Sequence, residues 1–203
     1  MSRRSLDRKA QHEREPRLLA GLLLDDVAAA EDTSLATFDL SNGRMGLIFP
    51  QGAGRVRAYS SFRGDDAQRL DGPDAYARFV EACVGTGIAA ETFAEATVQG
   101  PLATFDCDDN FVPHPHRAGV VLIGDAAATT DPIWGQGLSL GFRDTRVLSE
   151  QLLSGDDWPA VADRYAEEHD RYVGVTIRVE GWRQQVFLDG GWKPTVDPSA
   201  PCR

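Results

Sequence analysis

The sequence predicts an α/β chain, α+β over these 203 residues, and three observations carry that expectation. Gly119-Val120-Val121-Leu122-Ile123 is a short, continuous, β-branched apolar run of the kind that a strand covered on both faces requires. A glycine-rich turn and a stretch with helical apolar spacing follow it directly. Upstream, three segments of alternating character are separated by turn sequences, which is the signature of an antiparallel meander.

Taken in chain order, the apolar run Leu18 to Leu24 is too short to span a bilayer and is closed by Asp25-Asp26, so it predicts a strand or strand edge. The meander strands are Leu35 to Leu40, Met45 to Pro50 and Arg55 to Phe62. Asn42-Gly43 joins the first pair, and Gln51-Gly52-Ala53-Gly54 the second. Pro73 to Val84 has proline at a helix start and Tyr76, Phe79, Val80, Cys83 and Val84 at helical spacing. Gly85-Thr86-Gly87-Ile88-Ala89-Ala90 after it fits the G-x-G-x-x-A pattern of a pyrophosphate loop. That loop needs a strand before it rather than a helix, so Gly85 reads as a helix-ending glycine. Leu102 to Phe105 and Phe111-Val112 add extended pieces. The segment from Leu138, with Leu140, Phe142, Val147, Leu148 and Leu152, is a helix, and Asp157 to Leu188 is largely helical with glycines at 174 and 181. The tail from Gly190, with Pro194, Pro198 and Pro201, has loop composition.

The chemistry concentrates between Gly124 and Asp144. Asp125 stands where a strand stops, the place at which open α/β sheets receive ligands, and its carboxylate can accept hydrogen bonds from a ligand's hydroxyls. Gly135-Gln136-Gly137 allows the backbone to approach a ligand, and the first N–H groups of the following helix stabilise nearby negative charge.

The pattern Gly124-Asp125-Ala126-Ala127, Pro132, Gly135-Gln136-Gly137, Gly141 and Asp144 resembles the second flavin-binding motif of the FAD-dependent monooxygenases and aromatic hydroxylases of the p-hydroxybenzoate hydroxylase type. The resemblance implies a partial FAD/NAD(P)-binding Rossmann-like domain with an inserted antiparallel-sheet substrate domain. It implies that Asp125 meets the ribityl chain of FAD, that Pro132 and Gly135-Gln136-Gly137 lie against the isoalloxazine ring with the helix N-terminus facing its pyrimidine end, and that Gly124, Ala126 and Leu138 bind the cofactor with them. Two departures from the pattern, Ala128 where many members have His and Ser139 where many have Asn, leave the subfamily and the substrate open. The start Ser2 to Arg8 resembles the end of another motif of these proteins, one that contacts FAD and the nicotinamide donor, with Ser5 and Arg8 as its residues and Arg8 as a cofactor-binding candidate, against the plainer reading of a solvated basic terminus. The G-x-G-x-x-G unit that holds the FAD pyrophosphate is missing.

On that resemblance the organisation expected is a remnant of the FAD-binding domain over 1–25, a substrate-binding sheet domain over 26–112, the FAD-binding segment over 113–155, and a C-terminal helix and tail over 156–203. The function implied is NAD(P)H-driven insertion of oxygen from dioxygen into a small organic substrate, an aromatic one among the options, with the truncated chain inactive by itself. A flavin-dependent reductase or halogenase relative remains open. So does a non-enzymatic remnant or partner subunit completed by a separate chain that supplies the pyrophosphate unit.

Bulk properties narrow the rest. A formal charge of -10 over 203 residues argues against nucleic acid and against an anionic membrane surface as partners. Cys83, Cys107 and Cys202 form neither a metal nor a disulfide pattern, which favours a reducing cytoplasm. His114-Pro115-His116 reads as a loop rather than a metal site, while His12 and His169, in charged surroundings, read as surface residues. No catalytic residue and no metal ligand is assigned. Arg55, Arg57 and Tyr59 share one strand face, either a pocket wall that with Arg44 orients substrate or the solvent side; Phe49 and Pro50 are expected in the core. Arg164, Glu168 and Arg171 make a helix-surface charge ladder.

Overall fold

The computed structural model describes residues 17–63, 70–155 and 157–188. Ser5, Arg8, His12, Cys202 and the proline-bearing tail lie outside them. Among the described residues, β1 (Arg17–Asp25), β2 (Leu35–Asp39), β3 (Arg44–Gly52), β4 (Arg55–Arg63), β5 (Thr97–Val98) and β6 (Ala103–Asp106) form one sheet in the order β2-β3-β4-β1-β5, with β6 also on β1. The meander follows the turn chemistry: Leu35 faces Ile48, and Ile48 faces Ala58, in antiparallel ladders. Asp39 accepts hydrogen bonds from Ser41 and Asn42 and so ties the first turn. The helix α1 (Ala75–Gly85) ends where the glycine predicts, and the Gly85 to Ala90 segment leaves a helix, not a strand.

Cα-contact continuity divides the described chain into two compact units. One takes 20–62, 70–103 and 182–188, the other 17–19, 63 and 104–181. In the sheet unit, strict alternation along β4 buries Val56, Ala58 and Ser60 and leaves Arg55 and Arg57 exposed. That face is the solvent side: Arg55 forks onto Asp25 with bonds of 2.7 and 3.0 Å, and Tyr59 lies half-buried across Gly21 with Phe49 edge-on at 6.0 Å. Phe49 therefore stands at the exposed rim of this pair and not in the core, because the pleat puts it on the Arg57 side. On the other face α1 packs with Phe79 and Cys83 fully buried, and burial pushes the Cys83 thiol up to about 12.

In the second unit, α2 (Gly137–Leu152) and α3 (Trp158–Phe187, to residue 181 in this unit) carry Leu140, Val147, Tyr165, Tyr172 and Val173, which cluster with Ala128. The remaining strands are short: β7 (Asn110–Phe111) pairs β10 (Ala128–Thr129), and β8 (His116–Arg117) pairs β9 (Val120–Val121), both antiparallel. Here the expectation of a strand covered on both faces fails. Only Val120 and Val121 are paired, Val120 is 59% exposed and Ile123 is 41% exposed. Among the described residues β8 is the one strand hydrogen-bonded to β9, and only one face of β9 is covered: Val121 packs against the α2 and α3 cluster, while Val120 on the opposite face stays exposed.

Gly46 fixes how α1 meets the sheet. A β-carbon there would stand 2.4 Å from Thr86 Oγ1 and 2.8 Å from Ile88 Cδ1, over the 2.7 Å hydrogen bond that joins the Thr37 and Thr86 hydroxyls. We expect Gly46→Ala to destabilise the chain by about 1–3 kcal/mol through overpacking. Urea unfolding of the two proteins checks this, and an unchanged midpoint refutes it.

Candidate functional site

Gly124-Asp125-Ala126 forms a short 3-10 turn directly after Ile123, and Pro132-Ile133-Trp134 forms a second one that runs into α2. Gly124 and Gly135 both take positive φ, at 59° and 65°, in open space where a side chain would meet no neighbour but the backbone would be strained. The two turns and the helix come together. The position of a β-carbon on Gly137 is 3.8 Å from Asp125 Oδ1, and that on Gly141 is 3.8 Å from Gly124 Cα. Motif residues separated in sequence are thus neighbours around the first turn of α2.

That first turn has no side-chain cap. Leu140 N–H makes the first intrahelical bond, to Gln136 O, so the amides of Gly137, Leu138 and Ser139 precede the helical ladder. Gln136 instead turns its amide onto Trp134 O at 3.0 Å. Asp125 is exposed and its carboxylate makes no hydrogen bond among the described residues. Ala126, Pro132, Gly135 and Leu138 are exposed around it, while Ala127 and Ala128 are buried beneath. An acceptor for hydroxyls therefore stands beside unspent N–H donors at the positive end of a helix, the donor set that a hydroxyl-bearing, partly anionic ligand requires.

What holds this arrangement is a buried carboxylate. Asp144, 1% exposed, accepts the Gly124 N–H at 2.7 Å through Oδ2 and the Tyr172 hydroxyl through Oδ1. Tyr165, two helical turns earlier on α3, donates to Leu122 O at 2.9 Å. Burial first, and then the Asp144 charge for Tyr165 and the hydrogen bond to Asp144 for Tyr172, hold both phenols well above their usual range, so they remain donors at every physiological pH. Arg143 lies over the Tyr172 ring at 4.5 Å and reaches Glu168, which also pairs with Arg171. Arg164 belongs elsewhere and bonds to Gln151 and Ser154.

Tyr165 and Tyr172 carry no motif and read in the sequence only as apolar positions of the C-terminal helix. The available signal was their spacing of two turns on one helix face with His169 between them. The surface reading of His169 is wrong for the same reason. It is fully buried, stacked on Phe111 at 5.9 Å and flanked by both tyrosine rings, because helical period outweighs its charged sequence neighbours Glu168 and Asp170. His114 and His116 lie in and beside the β8 loop, bonded to Asp170 at 2.7 Å and Asp163 at 2.9 Å. Among the described residues no group of three or more His, Cys, Asp or Glu can hold a metal, and no helix is long and apolar enough to cross a membrane.

No protein-family model matches the chain. Among curated proteins it is similar to a kynurenine 3-monooxygenase of Christiangramia forsetii, 44% identical over 80 residues that make up 39% of this chain and 17% of the relative. A kynurenine 3-monooxygenase of Legionella pneumophila is 35% identical over 97 residues, 47% of this chain and 19% of the relative. Among solved structures, Klebsiella pneumoniae HpxO complexed with FAD and uric acid superposes with a TM-score of 0.68 at 19% identity, covering 83% of this chain and 44% of that one. The flavin-dependent brominase Bmp2 gives 0.67 at 16% identity, covering 84% and 44%. The chain spans under a fifth of the length of these curated relatives and under half of these two structures.

Removing the Asp144 carboxylate orphans two buried donors, each at about 1–3 kcal/mol. We expect Asp144→Ala to lower stability by on the order of 2–5 kcal/mol and Tyr172→Phe by about 1.5–3 kcal/mol, the range for a hydrogen bond to a charged acceptor. Chemical denaturation of the three proteins decides it; a Tyr172→Phe protein as stable as the wild type removes the phenol from the network.

Proposed function

We propose that the Gly124–Asp144 segment is the part of a flavoprotein monooxygenase that holds FAD, a reading supported by the part-length similarity to kynurenine 3-monooxygenases and by the fold shared with FAD-binding and flavin-dependent proteins. The observation that carries this reading is the exposed Asp125 carboxylate, without a hydrogen-bond partner among the described residues, beside the uncapped start of α2. In this reading Asp125 accepts from the ribityl hydroxyls, Gly124 and Ala126 keep the backbone low at that point, and Pro132, Gly135, Gln136, Gly137 and Leu138 form the wall for the ring. The helix end favours negative charge on the pyrimidine side. When bound, FAD supplies the redox chemistry of oxygen transfer. The residues of this chain orient it and keep the turn rigid.

The parent reaction in this proposal is NAD(P)H-driven insertion of one oxygen atom from dioxygen into an organic, aromatic-type substrate, in the cytoplasm. The kynurenine 3-monooxygenase relatives support the oxygen-inserting class. Cys83 and Cys107, both buried free thiols, are compatible with a reducing compartment. A second reading, in which the chain is a partner subunit completed by a separate chain carrying the pyrophosphate-binding unit, is favoured by one observation: Val120, Leu138 and Phe142 are 59%, 73% and 68% exposed.

The test is FAD titration followed by flavin fluorescence. A charge-assisted bond from Asp125 contributes on the order of 1.5–3 kcal/mol. We expect these 203 residues alone to bind FAD weakly, through ribityl and ring contacts only, and we expect Asp125→Ala, in the chain complemented with an FAD-binding N-terminal unit, to weaken binding by roughly tenfold to a hundredfold. Melting temperature without FAD should be unchanged. An unaltered dissociation constant sinks the cofactor role of Asp125.

A further inference from the structure

The stretch just before Pro132 holds a buried polar group that the reading above does not use. Asp131 is 3% exposed. Its Oδ1 accepts the Ile133 N–H at 2.9 Å and its carbonyl accepts the Trp134 N–H at 3.1 Å, while its own N–H donates to Asp109 Oδ1 at 3.0 Å. The bond to Ile133 is the side-chain cap of the 3-10 turn, and Pro132 O closes that turn by accepting from Gly135 N–H at 3.1 Å. The other carboxyl oxygen, Oδ2, is closed off from water and meets no N–H or O–H donor among the described residues. The groups facing it are the Cys107 thiol, the Asp109 carboxylate and the Arg17 guanidinium, with Asp108 beside the thiol. Cys107 and Arg17 are themselves buried, and the Cys107 N–H is bonded to Arg17 O at 2.9 Å. Thr130 Oγ1, next in sequence and also buried, has no partner among the described residues either.

We propose that Asp131 is the positioning residue of the Pro132–Gly135 turn, and that its buried carboxyl group holds the turn more tightly when protonated than when ionised. The inference rests on the flavin reading only for what the turn does, since that turn leads into the Gly135-Gln136-Gly137 wall; the positioning itself stands on the geometry of the cap. An ionised carboxylate here has one hydrogen-bonded oxygen, one dry oxygen and a second carboxylate close by. A protonated one keeps the Oδ1 acceptor for Ile133 and removes a charge that burial and the Asp109 carboxylate penalise by more than the Arg17 guanidinium and the Cys107 thiol offset. Burial, ahead of the opposing bond from Ile133 N–H and the Arg17 charge, raises this carboxyl from its ordinary value to about 6. The sign follows. A carboxyl raised in the closed turn stabilises it fully below the ordinary carboxylate range, and that stabilisation is lost as pH rises through about 6.

The experiment is amide hydrogen exchange on the full 203-residue chain, read at Ile133, Trp134 and Gly135 and corrected for the intrinsic pH dependence of exchange. In the wild type we expect protection of these three amides to fall by about tenfold between pH 5 and pH 7.5. Asp131→Asn, which keeps an acceptor oxygen and removes the titration, should show the same protection at both pH values. Asp131→Ala should lose protection at Ile133 while amides of β3 and β4 are unaffected. Wild-type amides without the excess pH dependence, or an Asp131→Asn protein that retains it, overturn the proposal. If Asp131→Ala does not fold, the comparison of the wild type with Asp131→Asn decides. FAD titration of the same proteins separates the two readings. Exchange behaving as expected with no FAD affinity in any protein counts against the flavin reading alone, and flat exchange with intact FAD binding counts against Asp131 alone.

Discussion

One carboxylate organises the candidate site. Asp144 sits two turns into α2, at a depth where water does not reach it, and its two oxygens are spent on different elements: one on the backbone of the Gly124 turn, the other on a tyrosine of α3. A buried carboxylate that lost either donor would carry a desolvation cost with nothing to offset it. The turn, the helix and the long C-terminal helix therefore hold their relation to one another together. The exposed Asp125, only one residue from the Gly124 amide, inherits its position from this bond without contributing to it.

The division of labour between the two aspartates is physical. Asp144 is buried and fully engaged, whereas Asp125 is exposed and makes no hydrogen bond among the described residues, so it keeps its acceptor capacity for a ligand. Ground-state rigidity comes from the first and ligand chemistry from the second. The same logic extends to the glycines. Gly137 and Gly141 allow α2 to lie against the Gly124 turn at van der Waals distance, so that the free amides of the helix start and the Asp125 carboxylate share one small region.

α3 supplies the support beneath. Tyr165, His169 and Tyr172 follow one another along a single face, packed on Phe111, Ala128, Leu140 and Val147, and the two hydroxyls reach the segment before the turn and the carboxylate behind it. The aromatic rings bring large apolar area, and their hydroxyls satisfy groups that would otherwise be stranded. The sheet unit is built by different means, from alternation and tight turns, with Gly46 giving α1 the clearance to bond Thr86 across to Thr37.

Local rules made much of this legible from sequence. Strand alternation, the Asn42-Gly43 turn, the helix end at Gly85, the helix that follows Gly135-Gln136-Gly137 and the long C-terminal helix all depend on neighbours within a few residues, and each forms where the residues indicate. The motif from Gly124 to Asp144 was legible for the same reason, its spacing being that of a turn and a helix. What only the tertiary structure decided are the partnerships between segments far apart in the chain. The bond from Tyr172 to Asp144, the stacking of His169 on Phe111 and the closed surroundings of Asp131 join positions 22 residues or more apart in ways that no local period encodes. The same holds for Val120. A run of β-branched residues fixes the preference for extended backbone, but the burial of a strand depends on which layers lie beside it, and that is a property of the fold rather than of the run.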